Sequence, residues 1–262
     1  MCIRHVEARN FPCGYDGGMK TGVHFLSLLL LSAPCLADNI TFAVSTGSAM
    51  PMTQFRNEKL AGGLLKDFGD ALARELGMAP QYLSLPRKRV EAALTQGQAD
   101  LLCDLRPEWM DNKAWAWSET VFSNNMIIAS RADTAPLQSL SQLAGQRVGT
   151  ILGYRYPEVE RKLGGRQFRR DDAATDDLNT NKLLNERFRY IMSNSLYYEY
   201  QRKVHPAGAR LNPAVYTVRA FDTYCALSSS GRIDVARVNR AILAIRKRGE
   251  MQTIYARYQP AP

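Results

Sequence analysis

Between residues 40 and 105 the chain alternates strand-like and helix-like hydrophobic patterns, and this alternation constrains the fold more than any other feature. Residues 40–44 are a short apolar strand. Gly62-Gly63 then opens a helix whose apolar positions, Leu65, Phe68, Leu72 and Leu76, follow a 3.6-residue period. Gly77 closes it. Residues 81–85 form a second strand, which Pro86 breaks, and a helix over 88–96 turns Val90, Ala93 and Leu94 inward. Gly97 suits the position just past a helix end. Leu101 and Leu102 begin a third strand, after which Cys103, Asp104, Arg106, Glu108 and Trp109 crowd into seven positions. This is β-α-β-α-β, so the strands are parallel and joined by helical crossovers. In such sheets ligands gather at the carboxyl ends of the strands, which makes 103–109 one expected wall of a binding site.

The pattern breaks over 132–138 and then repeats. A strand at 125–130 precedes the break. A short helix at 139–145, a strand at 147–152 and a helix from Pro157 to Leu163 follow, with Pro157 in the helix's first turn. Further strands are expected at 167–169 and 188–192, and helices at 176–185 and 196–203. One or two strands fill 216–228. A helical stripe of Val235, Val238, Ile242 and Ile245 and a last helix bearing Met251, Ile254, Tyr255 and Tyr258 end the chain. Two α/β units followed by an extra strand and helices imply two lobes, the tail completing the first.

The first 37 residues read differently. Lys20 precedes an apolar run from Val23 to Leu31, too short for a membrane span, and Cys35 and Ala37 occupy the −3 and −1 positions of a cleavage site. That is the layout of a secretory signal peptide, with translation starting at Met19. The mature chain, 38–262, keeps 31 of 34 basic and 23 of 25 acidic residues, a net charge of +8. No aromatic-basic nucleic-acid motif accompanies that charge; it reads as a solvated basic surface that favours anions or membrane surfaces. The mature chain keeps two of the five cysteines, Cys103 and Cys225. A pair in an exported chain points to one disulfide, with two buried free thiols as the alternative. His205, the one mature histidine, has no partners at metal-ligand spacing, and no Walker loop, Gly-x-Ser-x-Gly or Cys/His cluster is present. No metal and no cofactor are expected.

The order and spacing of several motifs resemble one family. Gly63-Leu-Leu-Lys-Asp-Phe, Leu94-Thr-Gln-Gly-Gln-Ala-Asp100, Trp117-Ser118, Leu140-Ser-Gln-Leu-Ala-Gly-Gln-Arg-Val-Gly149 and Val238-Asn-Arg-Ala-Ile242, with the stretch from Gly249 to Tyr258, are similar to the extracytoplasmic solute-binding proteins of amino-acid-type ABC transporters, family 3. The resemblance implies a two-lobed periplasmic-binding-protein fold of type II, with a ligand cleft between lobes and two hinge crossovers near 119–125 and 218–222. It places lobe 1 at 38–124 and 219–262, and lobe 2 at 125–218. It further implies a monomeric, non-enzymatic periplasmic protein. Such a protein captures a small polar solute, an amino acid, a related compound or a small acid, and presents it to a membrane permease.

The chain departs from the family at its ligand anchors. Amino-acid-binding members place an Arg after Pro-Glu to fork the ligand carboxylate; here Trp109 follows Pro107-Glu108. They place an Asp after the strand matched by 188–192; here that position is Asn194. The aromatic of the first loop is Met50 or Met52. Arg106 or Arg155 is a substitute for the missing Arg, and Asp171 or Asp172 for the missing Asp. Tyr154 and Arg155 lie in the turn before a helix start, a natural anion site; Arg89 starts the helix after Pro86. Each has a plainer reading: Trp109 as a cover on the core, the arginines as surface ion pairs, Tyr154 as an ordinary turn residue. The candidate ligand set is therefore Trp109, Arg106, Tyr154, Arg155, Asn194, Met50, Asp172 and Arg89. Two rival functions remain. One is a dehydratase-like enzyme on the same fold, for which Glu108 and Asp104 are the available acids. The other is a ligand-sensing partner of a membrane receptor.

Overall fold

A computed structural model describes residues 38–258 except 113. The expected signal peptide, Met19 start and cleavage site fall on 1–37, outside the described residues. The strands are β1 (Asn39–Ser45), β2 (Gln54–Arg56), β3 (Lys59–Gly62), β4 (Ala79–Leu85), β5 (Leu101–Leu105), β6 (Ala116–Trp117), β7 (Phe122–Ser130), β8 (Arg147–Ile151), β9 (Arg169–Ala173), β10 (Tyr190–Asn194) and β11 (Tyr216–Leu227). The helices are α1 (Leu64–Glu75), α2 (Arg87–Thr95), α3 (Pro157–Leu163), α4 (Asp176–Leu184), α5 (Ser195–Val204), α6 (Val235–Lys247) and α7 (Glu250–Arg257).

One curled sheet runs through both lobes in the order β4-β1-β5-β11-β7-β10-β8-β9. In lobe 1, β1 pairs in parallel with β4 and β5. In lobe 2, β8 pairs in parallel with β10 and β9. The chain crosses between them twice, on β7 and β11, which pair antiparallel with each other from Phe122 to Ile128 and from Tyr216 to Thr223. Beyond Thr223, β11 continues against β5. The crossovers thus form the seam.

Each lobe has its own core. In lobe 1 the apolar stripe of α1, with Leu64, Phe68 and Leu72 at 1% exposure or less, meets Val238, Ile242 and Ile245 of α6. α2 covers the opposite face of the sheet with Val90 and Leu94 against Leu102 and Ala226. In lobe 2 Val148, Val159, Tyr190 and Met192 pack on one face, and Ile127, Leu183, Phe188 and Tyr198 on the other. Gly63 caps the start of α1 with φ +105°, a backbone conformation that favours glycine. A Cβ there would also lie 2.4 Å from the Met52 carbonyl oxygen.

Cys103 of β5 and Cys225 of β11 are joined in a disulfide across a sequence separation of 122. Several elements differ from expectation. The β2–β3 hairpin interrupts a segment without strong alternation. Residues 139–145 carry a 3-10 turn, Leu140–Leu143, closed by a capping box between Ser139 and Gln142. The strand expected at 167–169 instead spans Arg169–Ala173, where edge position lets charged side chains alternate with buried ones.

Candidate functional site

The strand ends of both lobes converge on a cleft of about 1070 Å³, part of it open to solvent. Lobe 1 supplies the loop after β1, the first turn of α2, the end of β5 and Trp109. The crossovers supply Asn124, Met126 and Phe221. Lobe 2 supplies the turn after β8, the start of α4 and the end of β10. Four lining residues are acidic or basic: Arg87, Asp104, Arg155 and Asp176.

Asp104 reaches the cleft through an irregularity in β5. Leu102 pairs with Ala226 and Leu105 with Tyr224, so Cys103 and Asp104 together oppose the single residue Cys225. That is a β-bulge, a device that re-aims a side chain at a sheet edge or site. Asp104 takes φ +61°, the left-handed region that Asp and Asn tolerate better than other side-chain-bearing residues. Burial pushes its carboxyl up to about 7, against a hydrogen bond from Thr223 that acts the other way. Asp176 faces it from lobe 2, in the first turn of α4, which Thr175 caps by accepting from the Leu178 N–H at 3.2 Å. Burial, and then the charges of Asp177 and Asp104, push the Asp176 carboxyl up to about 7 as well.

The lobes touch around these groups. The Asp176 N–H donates to the Gly47 carbonyl at 3.2 Å. Arg155 of lobe 2 makes a two-pronged ion pair with Asp111 of lobe 1. The Arg87 guanidinium, 6.0 Å from the ring centre of Tyr154, forms a cation-π contact between lobes. Arg87 is only 10% exposed and also bonds Glu91 at 3.4 Å. Thr53 Oγ1, Ser193 Oγ and Trp109 Nε1 are buried and have no hydrogen-bond partner among the described residues. All three side chains line the cleft.

Of the residues singled out from sequence, Trp109, Tyr154, Arg155 and Asn194 lie on the cleft wall. Trp109 packs edge-to-face on Phe221 at 5.3 Å. Asn194 is committed to structure: its Oδ1 accepts from the Tyr197 N–H at 3.0 Å, capping α5, and from Asn124 Nδ2 at 2.9 Å. Arg106, Met50, Asp172 and Arg89 are not among the lining residues. Arg106 forks Glu108 at 3.0 and 3.1 Å and donates to the Asp222 carbonyl at 3.0 Å, bracing a crossover. Asp172 accepts from Thr150 Oγ1 at 2.6 Å and from Arg170 at 2.8 Å. Arg170 in turn holds the Ile151 and Tyr154 carbonyls. Asp171, the other substitute acid, is held by Lys182 at 3.0 Å and Arg187 at 2.8 Å. Arg89 is exposed because residues two apart on a helix point to opposite faces; Arg87 faces the cleft instead. Met52, not Met50, lines the first loop. Glu108 is exposed, and its ion pair with Arg106 holds its carboxyl below the usual range despite partial burial.

Arg155 therefore acts at the rim. An exposed pair of this kind contributes about 0–1 kcal/mol. Arg155→Ala is expected to weaken every solute by up to about fivefold, regardless of its charge. Calorimetric titration with an anionic and a cationic solute tests this; a loss confined to the anion would show direct contact.

Comparison with known proteins places this geometry. Residues 40–261 match the profile of the bacterial extracellular solute-binding proteins, family 3. No curated protein matches the sequence. The fold is similar to an ancestral arginine-binding protein bound to arginine, with 18% identity, TM-score 0.69, and coverage of 85% of this chain and 99% of that one. It is also similar to the substrate-binding protein of a Streptococcus pneumoniae ABC uptake transporter with bound histidine, with 17% identity, TM-score 0.71, and coverage of 85% and 93%. A third similar structure is an ancestral amino acid-binding protein that is a precursor of cyclohexadienyl dehydratase, with 16% identity, TM-score 0.70, and coverage of 84% and 95%.

Proposed function

The chain belongs to the bacterial extracellular solute-binding proteins, family 3, and on that premise we propose that it captures a small polar solute between its lobes and delivers it to the membrane permease of an ABC importer in the periplasm. The observation that carries this reading is the cleft itself, whose charged and polar walls come from both lobes and meet through Asp176–Gly47 and Arg155–Asp111. Groups contributed by two bodies bind one solute well only when the bodies close, so binding selects the closed state. Closure pivots on the crossovers near 119–125 and 218–222, with lobe 1 spanning 38–124 and 219–262 and lobe 2 spanning 125–218. Amino acids and related amines are the first solutes to try, because the similar structures hold arginine and histidine.

Thermal-shift screening finds the solute by mass action, since a ligand at 100 times its Kd stabilises the fold by about 2.7 kcal/mol. Small-angle scattering then tests closure. The radius of gyration is expected to fall on binding; a bound solute that leaves it unchanged, starting from an open free form, would overturn the hinge.

One observation favours a second reading. The Asp104 carboxyl, raised to about 7, is able to give and take a proton at neutral pH. If the cleft is catalytic, a stabilising solute comes back chemically changed after incubation; a carrier returns it intact, which mass spectrometry decides.

A further inference from the structure

We propose, resting on the reading of the cleft as a solute site, that Asp104 and Asp176, one carboxyl from each lobe, together seat the positive end of a solute carrying a net positive charge. The charges on the cleft wall lead there. Arg155 is matched by Asp111 and Arg87 by Glu91, and neither of those acids lines the cleft. The two lining cations are thus each paired with an acid outside the cleft lining. Asp104 and Asp176 are the acids left over, and both line the same cleft.

Two hydroxyls support this independently. Thr53 is 2% exposed, and its Oγ1 and the buried Oγ of the half-buried Ser193 have no hydrogen-bond partner among the described residues. One comes from each lobe and both side chains line the cleft. An ammonium or guanidinium offers only N–H donors and needs acceptors on every side, which carboxylates and hydroxyl oxygens provide. The aromatic side chains of Tyr154 and Trp109 also line the cleft, and such rings attract a cation. An anionic solute would instead face two acids in a largely desolvated cleft wall, a costly arrangement.

The seat also makes uptake proton-linked. Without a solute, burial favours protons on both acids, which titrate at about 7. Nearby groups modulate this: Thr223 on β11 donates to Asp104, and Asp177 on α4 adds repulsion at Asp176. Tyr154 and Tyr156 after β8, Tyr197 on α5 and Tyr255 on α7 lie within electrostatic reach and stay protonated, while Arg87 on α2 acts at Tyr154. An arriving cation favours the ionised acids and expels their protons. Affinity therefore rises with pH, about tenfold per unit for each proton released below about pH 7, and levels off above it.

The test uses the mature chain and matched probes: agmatine and L-arginine as net cations, L-glutamine as a neutral zwitterion, and L-glutamate and succinate as anions. Calorimetry at pH 5.5, 6.5, 7.5 and 8.5 is expected to show a cation binding at least tenfold tighter than glutamine, and gaining about tenfold between the two lowest values for each proton released, up to about a hundredfold when both acids ionise. Asp176→Asn and Asp104→Asn are expected to lose tenfold or more and to flatten the pH dependence, with circular dichroism confirming the fold. Asn keeps the left-handed backbone of position 104 accessible. A panel in which no cation outbinds glutamine, including one in which nothing binds, overturns the proposal. So does a preferred cation whose affinity ignores both pH and Asp176→Asn. Closure on glutamine or succinate alone would sink this proposal while leaving the solute-binding reading intact.

Discussion

Opening the Cys103–Cys225 disulfide is expected to cost about 4–5 kcal/mol of stability in the chain-entropy treatment of a loop this long. The bond joins β5, which carries Asp104, to β11, which crosses from lobe 2 back into lobe 1. Both cysteines are buried in the core of lobe 1, at 5% and 0% exposure. Cutting the bond therefore frees 121 residues (104–224), all of lobe 2 among them, to explore a larger unfolded ensemble. With a urea slope of about 2–3 kcal/mol/M, the midpoint should drop by about 1.5–2.5 M. The measurement is urea unfolding of oxidised protein, protein reduced under denaturing conditions and refolded, and the Cys103→Ala/Cys225→Ala double variant. Reduced and double-variant curves that overlay the oxidised one would show that the bond contributes nothing. Because the bulge at Asp104 is stapled by this bond, solute binding should weaken together with stability.

The lobes are readable from sequence because their signals are periodic and local. The stripes of α1 and α6 recur at helical spacing, and each lies buried in one core as the pattern requires. Gly97 takes φ +69° just past α2, as a helix stop should. The charged strand β9 escapes the same reading because a sheet edge relaxes the rule that strands look apolar. There Asp171 is buried yet satisfied by Lys182 and Arg187, so Arg-Arg-Asp-Asp reads as surface until the partners are known. The candidate site is half legible. Trp109, Tyr154 and Arg155 follow strand ends, and strand ends face the cleft. Choosing Arg87 over Arg89 needs the exact phase of a short helix whose stripe is weak. Asp176 carries no distinguishing mark, since an acid in the first turn of a helix is ordinary. What sets it apart is Asp104 on the other lobe, 72 positions away in sequence, and only the folded chain brings the two within electrostatic reach.

In the solute-free protein, Asp176→Asn is expected to raise stability at pH 8 and leave it nearly unchanged at pH 4. The sign follows from linkage. An aspartate titrates near 3.9 in the unfolded chain, but Asp176 titrates at about 7 in the fold. Between those values the folded state holds a proton that the unfolded state has released. The group's stabilising contribution is complete below about pH 4 and is lost as pH rises through about 7. A carboxyl moved from about 4 to about 7 corresponds to about 4 kcal/mol at most, and structural relaxation lowers that to about 2–3 kcal/mol. For a chain of this size the gain at pH 8 is about 4–10 °C in melting temperature. Asparagine at 176 removes one of the two raised acids, so the variant's curve should fall less steeply than the wild-type curve across the window, with Asp104 still contributing its share. Calorimetric melts of both proteins at pH 4, 6 and 8 measure the difference directly, and parallel curves would mean that Asp176 titrates like an exposed acid. A variant more stable but unable to hold a cation would show that the cleft keeps two acids at the expense of its own folding. That is the usual relation between a binding site and the scaffold that carries it.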